Sequence, residues 1–143
     1  PLGNWREVKV TDQRTAKDWS NVMKDLADTH FPDVKKIHVV CDNLNTHNHA
    51  SLYKTFSPRE ARRIANKIEI HYTPKHGSWL NMAEIELSVL SKQCLNRRIP
   101  DQEKLTSEVK AWVKQRNDAG STINWQFTTE DARIKLSKLY PTI

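Results

Sequence analysis

Asp42 occupies a position at which a carboxylate can meet a ligand. It directly follows residues 37–41, a β-branched run that predicts a buried central strand. In open α/β sheets ligands collect at the carboxyl ends of the strands, and a carboxylate placed there can hold a divalent cation. The competing interpretation is that Asp42 only caps the turn or helix that follows the strand.

The second candidate carboxylate is Glu84 or Glu86. Both lie early in a helix predicted over residues 79–96, and at 100° per residue they are about 200° apart around the helix axis. At most one of them can therefore face Asp42. Each also has a structural alternative: Asn81 can be an N-cap with Glu84 as its N3 acid, and Glu86 can be a solvated carboxylate favoured by the helix dipole.

Metal binding by soft ligands and nucleophilic catalysis are both poorly supported. No Cys-x₂-Cys or His-x₃-His spacing indicates a zinc site. A cysteine inside a buried strand is usually inert, so the thiol in the first apolar run is a weak nucleophile candidate. The residues weighed for these roles are Cys41, His47, His49, His71, His76 and Cys94.

The 143-residue chain is 37% hydrophobic and 28% charged, with a mean hydropathy of −0.75, which is typical of a single polar globular domain. Its three glycines exclude glycine-rich phosphate loops. No apolar run is long enough for a membrane span, and the two cysteines exclude a secreted disulfide scaffold. A net charge of +6 favours a polyanionic partner, most simply nucleic acid.

The elements that must position these carboxylates alternate early and become helical later. Period-two alternation predicts strands over 6–11 and 68–72, besides 37–41. Helices are predicted from Thr15, from Ser57-Pro58, over 79–96, over 101–118 and from Thr128. This order indicates an α/β fold, a narrow three-stranded sheet with a helical C-terminal layer.

Basic side chains group along the helix that begins at Ser57. Arg59, Arg62, Arg63 and Lys67 fall on one face of it. Such a face can bind the phosphates of DNA without reading its sequence, or it can simply be solvated.

Two motifs together resemble the catalytic half of bacterial insertion-sequence transposases of the Tc/mariner superfamily, which carry a DDE triad. The first is Asp42-Asn43-Leu44-Asn45-Thr46-His47, and the second runs from Tyr72-Thr73-Pro74 through Ser78 and Asn81 to Glu84. The family pattern is D-N-x-x-x-H after a strand, then Y-x-P-x-x-x-S-x-x-N-x-x-E leading into a helix. The resemblance covers nearly the whole chain, about residues 5–140, so that residues 1–143 are expected to be one partial catalytic domain.

The resemblance implies an RNase H-like fold and phosphoryl transfer by two Mg²⁺ (or Mn²⁺) ions. Asp42 and Glu84 would be catalytic metal ligands, and Glu86 is set aside. The family's first catalytic Asp lies on the first strand of the sheet, and this chain, which starts with Pro1, is expected to begin near the third strand. The chain alone is therefore expected to be inactive.

The resemblance also implies partners and contacts. DNA, as transposon ends and target, is the expected partner, with no membrane contact. A homodimer is expected for the full-length protein, in the bacterial cytoplasm and associated with the nucleoid. The open alternatives are a non-catalytic DNA-binding remnant, a decayed pseudogene product, and an RNase H-type nuclease unrelated to transposition. Residues given DNA-binding or site-shaping roles are Asn43, Asn45, His47, Arg59, Arg62, Arg63, Lys75 and His76.

Overall fold

A computed structural model describes residues 2–74 and 77–137. Two strands, Ile37–Cys41 (β1) and Ile68–Tyr72 (β2), form a parallel sheet in the register Ile37 to Ile68 and Cys41 to Tyr72. The described residues thus form a two-stranded sheet, one strand fewer than the sequence predicts. The chain is a mixed α/β protein, as expected.

Within the described residues, six α-helices surround and follow this sheet. They are Ala16–Asp25 (α1), His49–Thr55 (α2), Pro58–Lys67 (α3), Met82–Leu90 (α4), Gln102–Asp118 (α5) and Thr129–Leu136 (α6). A π-helical turn extends α1 over Leu26–His30 and α4 over Ser91–Leu95, and a 3₁₀ turn spans Ser78–Leu80.

The predicted helix starts are confirmed at the positions where the sequence has a capping side chain. Thr15 and Asp18 form a capping box at α1, and Thr128 and Asp131 form another at α6. Ser57 caps α3, with a proline as its first helical residue. α4 begins at Met82 rather than at residue 79, because Asn81 is its N-cap.

The prediction of a strand over residues 6–11 is wrong. This segment has no regular secondary structure, although its burial does alternate, with Arg6 buried and Val8 and Val10 half-buried. However, its backbone has no neighbouring strand among the described residues: the Arg6 amide donates to Asn117 Oδ1 instead. An alternating segment needs a ladder partner to be a strand, and here the apolar side chains pack on helices.

The main core lies between the sheet and the first three helices. Its buried residues are Trp19, Met23, Leu52, Ala61, Ile64 and Ile68, and the inward-facing Ile37, Val39 and Ile70 pack against them. The opposite face of the sheet is exposed, with Val40 at 59% exposure. Among the residues that the structure describes, β1 is therefore covered on one side only, and the prediction of a buried central strand is wrong in that respect.

A second core joins the C-terminal helices. Leu90, Cys94, Val109 and Trp112 are buried together, and Val8 and Val10 of the N-terminal segment pack against them. On α4, the apolar Leu87 is 53% exposed, while Glu86 takes an inward position. In residues 2–74 and 77–137 there is no helix long and apolar enough to cross a membrane.

Candidate active site

The exits of the two strands are joined by hydrogen bonds. The Thr73 amide donates to the Cys41 carbonyl at 2.9 Å, one residue beyond the end of β2. The Asn43 side-chain amide donates back to the Thr73 carbonyl at 3.0 Å. The two loops that carry the sequence motifs therefore leave the same edge of the sheet side by side.

Asp42 lies directly after β1 and is oriented by one histidine. Its Oδ1 is 2.6 Å from His47 Nδ1, and the Asp42 side chain is 47% exposed. Among the described residues its second carboxylate oxygen has no hydrogen-bond partner. The carboxylate is thus fixed in direction by His47 while one oxygen remains available to a ligand.

His47 is itself held from three sides. Its ring stacks on Trp19, with centroids 5.9 Å apart and planes tilted by 23°. Its amide donates to the Leu44 carbonyl at 2.8 Å, which turns the chain back toward Asp42. The Tyr72 hydroxyl donates to the His47 carbonyl at 2.6 Å, and burial raises the pKa of that hydroxyl, so it stays protonated as a donor.

The two asparagines of the first motif differ in what they contact. The Asn43 side-chain amide donates to the Thr73 carbonyl and so links the exits of the two strands. Asn45 is exposed, and its backbone carbonyl accepts a hydrogen bond from Asn48 Nδ2 at 2.6 Å. Asn48 is the N-cap of α2. α2 was not predicted from the sequence, since Asn48 lies inside a polar run that shows no helical periodicity.

Glu84 lies in the first turn of α4, at N3. A tight turn precedes the helix: the Gly77 amide donates to the Pro74 carbonyl at 2.8 Å, and a Cβ on Gly77 would lie 3.1 Å from that oxygen. Asn81 Oδ1 accepts from the Ala83 amide, so the N-cap alternative for Asn81 is confirmed. The exposed Glu84 carboxylate makes no hydrogen bond or ion pair with a described residue and does not close a capping box, which leaves it free for another role.

Glu86 has a structural role. Its carboxylate is buried between Arg6 Nε and an Arg116 terminal nitrogen, each at 3.1 Å. The two acids of α4 therefore face different surroundings, as their angular separation predicts. This ion pairing agrees with the sequence interpretation, which does not count Glu86 among the metal ligands.

Residues 2–106 match the sequence profile of the family described as DDE superfamily endonuclease. The match covers more than half of the 143 residues and includes both Asp42 and Glu84. The chain belongs to the DDE superfamily endonuclease family. A search of curated proteins and a search of solved structures each found no match.

DDE endonucleases typically use divalent metals, and the donor chemistry here fits such an ion. Asp42 and Glu84 offer carboxylate oxygens, the ligands that Mg²⁺ prefers. No contact between Asp42 and Glu84 occurs in the described residues, and neither belongs to a cluster of three potential ligands there. The donors match in kind, but the described part of the chain does not bring three potential ligands together at Asp42.

The basic residues predicted to contact DNA have different surroundings. Arg59 and Arg62 are exposed on α3. Arg63 donates to both Asp28 oxygens at 2.7 Å and to Glu60, so its charge is already neutralised within the protein. Lys75 and His76, also predicted to contact DNA, lie outside the described residues.

The Cys41 thiol beside the site is buried, and burial raises its pKa. A thiol of that kind remains protonated at neutral pH and is a poor nucleophile. This agrees with the sequence interpretation of Cys41 as inert.

Proposed function

We propose that this chain is part of the catalytic domain of a DDE transposase of insertion-sequence, Tc/mariner type, with an RNase H-like fold, which cleaves and joins DNA with divalent metal ions. The observation that carries the proposal is the oriented carboxylate at the end of β1. Asp42 is aimed by His47, keeps one free oxygen, and lies beside the loop that leads to Glu84.

Asp42 and Glu84 would hold the metal. When bound, Mg²⁺ or Mn²⁺ activates the attacking oxygen and stabilises the leaving oxygen of an in-line phosphoryl transfer. The residues of this chain have supporting roles around that step. His47 donates to Asp42 and restricts its rotation, and Asn43 keeps the two strand exits in register.

DNA is the substrate that the family implies, and the charge of the chain suits it. Arg59 and Arg62 are exposed and have no acidic partner among the described residues, so they can contact phosphates. Arg63 contributes less, because Asp28 and Glu60 already neutralise it. The chain alone would bind DNA without cutting it, since two carboxylates neutralise less metal charge than three.

The experiment measures metal placement and DNA binding separately on the 143-residue chain. Mn²⁺ broadens nearby NMR signals, so substoichiometric Mn²⁺ should broaden the resonances of Asp42, His47 and Glu84. Asp42→Asn and Glu84→Gln should each abolish that broadening. The matched control is Glu103→Gln, since Glu103 is likewise exposed and in the first turn of a helix, and it should leave the broadening unchanged.

DNA binding is measured by fluorescence anisotropy at several salt concentrations. Arg59→Ala together with Arg62→Ala should lower the slope of log K against log salt by about 2, one for each lost phosphate contact. Salt-dependent binding without Mn²⁺ broadening at Asp42 would refute the metal site and support the non-catalytic DNA-binding remnant. Broadening without DNA binding would refute the transposase assignment.

A further inference from the structure

The exposed face of the sheet carries three side chains with metal-ligating atoms. In the parallel register His38 pairs with Glu69, and Val40 pairs with His71. Alternate residues of a strand share a face, so His38, Glu69 and His71 all project from the side opposite the core. Their ligand atoms lie within 4.8 Å of one another.

The three ligand atoms form a compact triangle. His38 Nδ1 is 3.0 Å from His71 Nε2 and 3.6 Å from Glu69 Oε1, and His71 Nε2 is 3.2 Å from the same oxygen. Zinc binds nitrogen and oxygen ligands at about 2.0–2.1 Å in a tetrahedron, which places neighbouring ligand atoms about 3.3 Å apart. Each side of the triangle is within about 0.3 Å of that length.

No other described residue forms a hydrogen bond or an ion pair with these ligand atoms. The only described partners of the three side chains are one another. Their exposed fractions are 62% for His38, 46% for Glu69 and 49% for His71, so an ion can enter from solvent and keep water as a fourth ligand.

We propose that His38, Glu69 and His71 form a site for a zinc-type transition-metal ion, with an open fourth position. Two imidazole nitrogens and one carboxylate suit Zn²⁺ and disfavour Mg²⁺, which prefers oxygen ligands. The ion would join β1, through His38, to β2, through Glu69 and His71. The site is separate from Asp42 and Glu84 and does not depend on the function proposed for them.

The test titrates Zn²⁺ into the metal-free 143-residue chain in competition with a chromophoric chelator. The wild-type chain should bind one Zn²⁺, and His38→Ala and His71→Ala should each weaken that binding at least tenfold. All three ligands are exposed, so these variants should remain folded. His30→Ala is the matched control because it removes an imidazole elsewhere, on the turn after α1, and it should leave the affinity unchanged.

Co²⁺ adds a spectroscopic readout, since a tetrahedral site absorbs visible light more strongly than an octahedral one. That absorption should appear in the wild-type chain and be lost in Glu69→Gln. Equal Zn²⁺ affinity in the wild-type chain and His71→Ala would overturn the proposal. So would a loss of Zn²⁺ affinity in Asp42→Asn but not in His71→Ala, which would place the ion at the carboxylate site instead.

Discussion

Replacing Glu86 with alanine should destabilise the protein strongly without removing a metal ligand. Glu86 is buried, with 11% of its side chain exposed, between Arg6 at 5% and Arg116 at 16%. The Arg6 contact is within ion-pair distance, yet Arg6 Nε and Glu86 Oε2 do not meet hydrogen-bond geometry. The variant would leave the buried Arg6 and the half-buried Arg116 without their shared counter-charge.

The expected cost follows from that geometry. Removing one partner of a buried ion pair costs about 3–5 kcal/mol, and the imperfect Arg6 contact places Glu86→Ala near the lower end, at about 3 kcal/mol. For a domain of this size that loss lowers Tm by about 6–12 °C. The Arg6 backbone also bonds to Asn117, so the N-terminal segment should loosen from α5 in the same variant.

The assay is urea and thermal unfolding followed by circular dichroism, with Glu84→Ala as the control. Glu84 is on the same helix but is exposed, so its loss should cost less than about 1 kcal/mol, mostly its favourable interaction with the helix dipole. Equal midpoints for the two variants would refute the assignment of Glu86 as a structural residue.

Two further predictions concern the contacts of α3. Arg63 and Lys24 lower the pKa of Glu60 to about 2, so Glu60 stabilises the fold above pH 4.5, and that contribution is lost as the pH falls toward 2. Urea midpoints measured from pH 5 to 2 should therefore fall less steeply in Glu60→Gln, and parallel curves would contradict this. Lys67 Nζ donates to the carbonyls of Ala27, Phe31 and Pro32, at the end of the π-helical turn. Lys67→Met should cost about 1–3 kcal/mol in urea unfolding, whereas the exposed Arg62→Met should cost less than about 0.5 kcal/mol.

Features encoded by neighbouring residues were predictable from the sequence. The helix starts could be predicted from their N-cap residues, Thr15, Ser57 and Thr128. Each of these side chains accepts a hydrogen bond from the backbone amide three residues later, so the signal lies within one turn of sequence. The 200° separation of Glu84 and Glu86 follows from helix geometry alone. That separation was sufficient to predict that the two acids face different surroundings.

Features that depend on distant partners were not predictable. Residues 6–11 alternate like a strand, but only the fold shows that helices, rather than a neighbouring strand, receive their side chains. The cluster of His38, Glu69 and His71 depends on the register between β1 and β2, which the spacing of histidines along the chain does not reveal. A search for histidines on the polar face of adjacent predicted strands could have found it.

The spacing of the first motif has a structural reason. Asp42 directly follows β1. The turn from Leu44 to His47 brings the His47 ring, five residues after Asp42, back to the Asp42 carboxylate. The contacts that hold this arrangement come from the last residue of β2 and the residue after it: the Tyr72 hydroxyl donates to the His47 carbonyl, and the Thr73 carbonyl accepts from the Asn43 side-chain amide. The direction of the Asp42 carboxylate therefore depends on the pairing of β1 with β2, so the two motifs form one structural unit although 30 residues separate Asn43 from Thr73.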